Sequence, residues 1–263
     1  MLIKTVLIQS NQREKYPFNL PLFQKKIELD INHSVTVLVG ANGSGKSSML
    51  KLIQSKLSLV SIKLPEDDDI VDVNKNDVKI TLELLKPKGF FFESVKFINY
   101  LSYLKREIEH AQKEIIRIDQ EYKDKPDYSK ALAKSPYNRT LYELDNMYDK
   151  DLTESSHGEA YLDFFSSRIR DNQIYLLDEP ETPLSTQNQL TLLAMIMDAT
   201  KRGCQFIIAT HSPILAAIPD ATIYEITDNK FVKVDYDDIE SINLLRHFLN
   251  DKQQFLRHFK TDK

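Results

Sequence analysis

The chain reads as an α/β fold built around an open sheet, and three stretches carry that reading. Val35 to Val39, Ile174 to Leu177 and Phe206 to Ala209 are short, continuous apolar runs of the kind buried on both sheet faces. Each ends in a polar cluster: GANGSGKSS, DEPE and THS. Apolar residues at helical spacing follow, as in strand-turn-helix units whose carboxyl ends bind ligands.

The first stretch, VTVLVGANGSGKSSML, is the most specific. Gly40, Ala41, Asn42, Gly43, Ser44, Gly45, Lys46 and Ser47, with Ser48 after them, have the composition and flanks of a phosphate-binding loop. Glycines let successive N–H groups turn inward, and the helix beyond adds its positive end. Lys46 supplies a mobile charge for outer phosphates, and Ser47 a hydroxyl for Mg²⁺. The chain has only 6 glycines, and Gly40, Gly43 and Gly45 all fall here.

With 263 residues, 41% hydrophobic and 28% charged, the chain suits one large domain, 1–263, with an insertion. A net charge of -4 argues against a generally basic, nucleic-acid-coating surface. Cys204 is the single cysteine, so no disulfide framework exists and a reducing cytoplasm is the expected setting. Its neighbours mark it as a small core-edge residue. The opening MLIKTVLIQSNQREK lacks a signal-peptide pattern. No run reaches the roughly 18 apolar residues of a membrane span, so direct membrane insertion is not expected.

In chain order, residues 2–9 and 25–31 read as strands, with the proline-containing YPFNLPL between them as a loop or edge segment. Leu57 to Leu64 is β-prone, and Val78 to Leu84 alternates as a strand. Asp67, Asp68 and Asp69 suit a solvated acidic turn better than a metal site. Gly89-Phe90-Phe91-Phe92 belongs in the interior or at an interface.

From Phe97 the pattern changes. Leu101, Leu104, Ile108, Ala111, Ile115, Ile118 and Tyr122 step by threes and fours, predicting a helix over about 94–123, roughly 40 Å long. Pro126 stops it, and a second helix around 139–150 could return antiparallel. The 94–150 insertion is then either a short coiled-coil arm or an amphipathic helix on its own domain; the few heptads tip the reading toward the latter. Ser155-Ser156-His157-Gly158-Glu159 has the pattern of a capped helix start. Residues 186–199 predict a helix, Ile223–Ile226 and Phe231–Val234 a hairpin about Asp228-Asn229, and about 239–260 a final helix.

In this order the motifs resemble those of the ABC-type ATPases. The chain looks most like the small stand-alone bacterial ATPases of the AAA/ABC class, relatives of the SMC chromosome proteins and DNA-repair ATPases. The likeness rests on YPFNLP, GFFFES, SHGE, LLDEPE with LS after it, FIIATHSPIL, ATIYE and FLND…FLRHF. It implies a P-loop NTPase of ABC-ATPase type, with a mixed central sheet, an antiparallel β subdomain and a helical insertion. It also implies ATP and Mg²⁺ as ligands and ATP hydrolysis as the activity. Asp178 would hold Mg²⁺, Glu179 would be the general base, and His211 the switch histidine. Residues 181–185 match the D-loop. Ser156, Gly158 and Glu159 match the signature turn that closes over a second copy's ATP, implying an ATP-dependent homodimer. His157 and Glu159 depart from the transporter-type signature. No Q-loop glutamine is present; Glu93 stands where that metal-contacting residue would fall. Arg13, Tyr16 and Phe18 are adenine-contact candidates by position.

The expected function is thus an ATP-driven switch that passes its closure to a protein partner through 94–150, or to DNA, as in SMC, repair or phage-defence systems. A transporter's nucleotide-binding subunit and a non-hydrolysing nucleotide sensor are the alternatives.

Overall fold

A computed structural model describes residues 1–11, 13–64, 76–83, 87–145 and 157–257. Asp67, Asp68, Asp69, Ser155 and Ser156 lie outside the described residues, as does the end of the expected last helix. The strands are β1 (Ile3–Ile8), β2 (Ile27–Asp30), β3 (Val35–Gly40), β4 (Val60–Ser61), β5 (Val78–Leu82), β6 (Gly89–Glu93), β7 (Ile174–Asp178), β8 (Gln205–Ala209), β9 (Thr222–Thr227) and β10 (Lys230–Val234). The helices are α1 (Lys46–Leu57), α2 (Ser94–Glu121), α3 (Asp127–Asp145), α4 (His157–Arg168), α5 (Thr186–Lys201), α6 (Pro213–Ala216), α7 (Glu240–Asn250) and α8 (Lys252–Leu256).

The large sheet runs β10-β9-β3-β8-β7-β6-β4, parallel except where β10 pairs antiparallel with β9. The small sheet, β2-β1-β5, is antiparallel throughout. Period-2 alternation makes the central apolar runs serve two cores at once. Val35, Val37, Val39, Phe90, Phe92, Tyr175, Leu177, Phe206 and Ile208 face one core, with α4, α5 and the root of α2. Leu38, Phe91, Ile174, Leu176, Ile207 and Ala209 face the other, with α1 and the small sheet. Gln205, fully buried, ties the two sheets together: its amide donates to the carbonyls of Ile3, Ile31 and His33 and its oxygen accepts from Ile3 N.

Close strand approach explains Gly89. A Cβ there would lie 2.0 Å from the Ile174 carbonyl oxygen on the paired strand. At the β9–β10 turn, Asp228 (φ 50) and Asn229 (φ 56) are both left-handed, the geometry of a two-residue hairpin that such residues tolerate.

The insertion departs from expectation. α3 begins at Asp127, directly after Pro126, and continues through Pro136, whereas a second helix from about 139 was expected. An interior proline costs a helix on the order of 3 kcal/mol, so α3 draws its stability from packing on α2. Asp119 meets Lys130 and Lys134, Tyr137 meets Glu114 and the His110 ring, and the two helices therefore run antiparallel. Phe97 and Leu101 root α2 in the main core, while no described side chain of α3 is buried. The distal half of α2 pairs with α3 instead of lying on the sheet.

The C-terminal helix is also divided. Asp251 leaves the helical region and caps α8 by accepting from Gln254 N. Among the described residues, no helix is long and apolar enough to cross a membrane.

Candidate functional site

The loop between β3 and α1 has the backbone that its glycines permit. Gly43 (φ 75) and Gly45 (φ 105) are left-handed, and a Cβ on Gly45 would also meet Leu22 Cδ2 at 2.8 Å. Lys46 folds back over the loop, its Nζ donating to the carbonyls of Gly40 at 2.8 Å and Ala41 at 3.1 Å. Burial pushes its pKa down, while Glu179, Asp178 and Glu181 push it up.

Parallel pairing brings the other chemistry to the same edge. Glu93, Asp178 and Ala209 are in register across β6, β7 and β8. Ser47 Oγ donates to Asp178 Oδ1 at 2.9 Å. Burial is the main reason that the Asp178 carboxyl is pushed up to about 6; neighbouring Glu93 and Glu179 add to the effect, and the Ser47 hydrogen bond opposes it.

Glu179 follows in a left-handed conformation (φ 48), unusual for a residue with a side chain. Hydrogen bonds on both of its backbone groups hold it there. Its N–H donates to the Ala209 carbonyl at 2.9 Å, and its own carbonyl accepts from Ser94 Oγ at 2.5 Å. His211 Nε2 lies 3.8 Å from Glu179 Oε1, just beyond hydrogen-bond reach.

A cleft of about 660 Å³ joins the loop residues Asn42 to Ser48 with Tyr16, Leu20, Glu179, Glu181, Thr182 and His211. Asp178 joins it through Ser47. The loop suits a polyphosphate: it offers left-handed glycines, a buried ammonium, and the Ser44 hydroxyl, which is buried with no hydrogen-bond partner. The Ser47–Asp178 pair, a hydroxyl beside a carboxylate starved of solvent, suits a hard divalent cation.

The remaining candidates divide. Tyr16 lines the cleft, its hydroxyl 2.9 Å from Ser48 Oγ. Phe18 is buried in the core among Leu22 and Phe23, and Arg13 uses its backbone carbonyl to accept from Gln24. Glu93 stands beside Asp178 in the sheet, but Lys51 at 3.0 Å and Lys96 at 3.4 Å engage its carboxylate, and it does not line the cleft. Gly158 and Glu159 form the first turn of α4 and do not line this chain's own cleft. Gly158 sits so close to Pro183 and Asn188 that a Cβ would lie 2.7 Å from the Asn188 amide nitrogen.

Two contributors escaped the motif reading. Ser94 supplies the hydroxyl that pins Glu179, a role visible only once β6 and β7 are paired. Glu181 was legible only as part of a loop, yet it is the third carboxylate of DEPE and it bonds both Thr210 and His211.

A protein of Pyrococcus furiosus provisionally named an ABC transporter ATP-binding protein is 24% identical over 188 residues, 71% of this chain and 67% of its own length. One of Helicobacter pylori, provisionally named an iron chelatin transport ATP-binding protein, is 25% identical over 235 residues, covering 86% and 85%. The SMC head domain from Thermotoga maritima superposes with a TM-score of 0.45 at 15% identity, over 89% of this chain and 100% of that one. The family model of the RecF/RecN/SMC N terminal domain matches residues 19–230, a span that holds the glycine loop, the DEPE strand end and His211. By that match, which covers most of its length, the chain belongs to the RecF/RecN/SMC N-terminal domain family.

Proposed function

We propose that this chain is an ATP-hydrolysing switch whose closure around nucleotide is read by a partner protein or by DNA. The observation that carries the reading is the convergence of Lys46, Ser47–Asp178, Glu179 and His211 on one cleft at the carboxyl edge of the sheet. Phosphoryl transfer asks a protein for little beyond this: charge neutralisation and a positioned nucleophile.

The residues divide the work. Residues 40–48 cradle the phosphates with backbone N–H groups, and Lys46 faces the outer ones. Ser47 and Asp178 would hold Mg²⁺, whose charge offsets that of the phosphate oxygens. Glu179, fixed at a strained backbone position, accepts the proton of the attacking water. His211, beside it, orients the same region. Tyr16 flanks the loop where the base would enter. Ser156, Gly158 and Glu159 serve the cleft of a second copy, making the working unit an ATP-sandwiched homodimer. The α2–α3 hairpin then carries the motion outward, since α2 starts at Ser94, which is bonded to the Glu179 carbonyl.

The test is phosphate release. Wild-type protein should turn over ATP with Mg²⁺, and Glu179→Gln should bind ATP while losing turnover by about 100-fold or more, as removal of a general base does. Equal turnover by the two would refute the assignment. A second reading, a transporter's nucleotide-binding subunit, is favoured by the names of the two relatives above. A permease copurifying from membranes would support it, and a soluble or DNA-bound partner would count against it.

A further inference from the structure

We propose that Glu181 is a positioning residue that holds the His211 turn in register with Glu179. The proposal rests on the reading of the cleft as a hydrolytic site. The Glu181 carboxylate bridges two successive residues: Oε2 accepts from Thr210 Oγ1 at 2.7 Å and Oε1 accepts from the His211 backbone N–H at 2.6 Å. Thr210 is fully buried and relays the constraint, because its Oγ1 also accepts from Ser212 N at 2.9 Å. Ser212 Oγ donates to Gln189 Oε1 at 2.6 Å and accepts from Ile214 and Leu215. The turn from 210 to 212 is therefore gripped by Glu181 on one side and by α5 and α6 on the other.

The imidazole itself stands in the open cleft, its side chain 38% exposed. Its placement 3.8 Å from Glu179 thus follows from where its backbone is held, and Glu181 holds that backbone. Glu181 is itself fixed. Leu184 N donates to its carbonyl at 2.8 Å, Thr182 N donates to the Glu179 carbonyl at 3.1 Å, and Pro180 and Pro183 restrict the chain on either side. With each carboxylate oxygen already accepting from the 210–211 turn, Glu181 is engaged in geometry, while the Glu179 carboxylate faces His211.

A clamp of this kind depends on acceptors in the right place and not on charge. Glu181→Gln keeps the part that holds His211: the amide oxygen accepts from His211 N, while the amide nitrogen donates to the second lone pair of Thr210 Oγ1 and the Thr210 hydroxyl hydrogen turns away from residue 181. Glu181→Ala leaves two donors without acceptors and frees the turn. Displacements near 1 Å cost on the order of 100-fold in rate.

The experiment compares Glu181→Ala, Glu181→Gln, His211→Ala and the Glu181→Ala/His211→Ala pair, with two readouts. In phosphate release, Glu181→Ala should lower kcat about 10- to 100-fold with KM changed far less, Glu181→Gln should stay within about 3-fold of wild type, and the pair should fall no further than His211→Ala alone. In amide hydrogen exchange of the nucleotide-free protein, a peptide containing residues 210–212 should exchange faster in Glu181→Ala and at the wild-type rate in Glu181→Gln. Equal losses in the Gln and Ala variants, additive losses in the pair, or unchanged exchange in Glu181→Ala would each overturn the proposal. If wild-type protein releases no phosphate, the hydrolytic reading fails, and the exchange comparison alone still decides whether Glu181 clamps the turn.

Discussion

Asp178 should weaken the nucleotide-free fold, and replacing it with asparagine should strengthen it. Its carboxyl is raised from the ordinary 3.8 to about 6, chiefly by burial. The folded protein holds this proton more tightly than the unfolded chain does, so the side chain favours folding most below pH 3.8 and loses that advantage as pH rises through 6. At 1.36 kcal/mol per tenfold change in proton affinity, the full loss is about 3 kcal/mol. Asp178→Asn keeps an oxygen to accept from Ser47 and removes the charge. Urea denaturation without nucleotide or divalent cation should find the variant more stable than wild type by about 3 kcal/mol at pH 8, and by only about 1 kcal/mol at pH 4.5. Taking the difference between the two proteins cancels the other titrating groups. A variant no more stable at pH 8, or a difference that does not shrink in acid, would refute the reasoning that a half-buried, under-compensated carboxylate stands here.

Two further outcomes are expected. Lys46→Ala removes a buried ammonium that sits over the loop, and should weaken ATP binding by roughly 10- to 100-fold in a fluorescent-nucleotide titration, the worth of a charged hydrogen bond; unchanged affinity would mean that the site lies elsewhere. Gly89→Ala places a Cβ against the Ile174 carbonyl and should cost about 1–3 kcal/mol in chemical denaturation by forcing β6 and β7 apart; an unchanged midpoint would contradict the close approach.

The elements legible in the sequence were those whose signal is local. The glycine loop, the apolar strands beside it and the Asp228-Asn229 turn each carry their geometry in adjacent residues. The expected and observed hairpins coincide for that reason. The later part of α3, from 139, was legible, but its first half was not, because Pro136 argues against a helix locally and only packing on α2 overrides that. β4 falls within the β-prone stretch Leu57 to Leu64, but its two-residue extent was not legible: Val60 is exposed there, and its pairing with Phe90 exists only in three dimensions. In the cleft, residue types named several of the groups that the fold brings together, but not those that hold them. Ser94 and Glu181 act through backbone groups more than 25 residues away, and no spacing rule announces such bonds.

The central claim is that nucleotide is gripped where two copies meet. Light scattering on Glu179→Gln, eluted from a sizing column with and without ATP and Mg²⁺, tests it directly. The account predicts a mass that doubles from one chain of 30.5 kDa when both are present. A mass that stays at one chain at saturating ATP would contradict it.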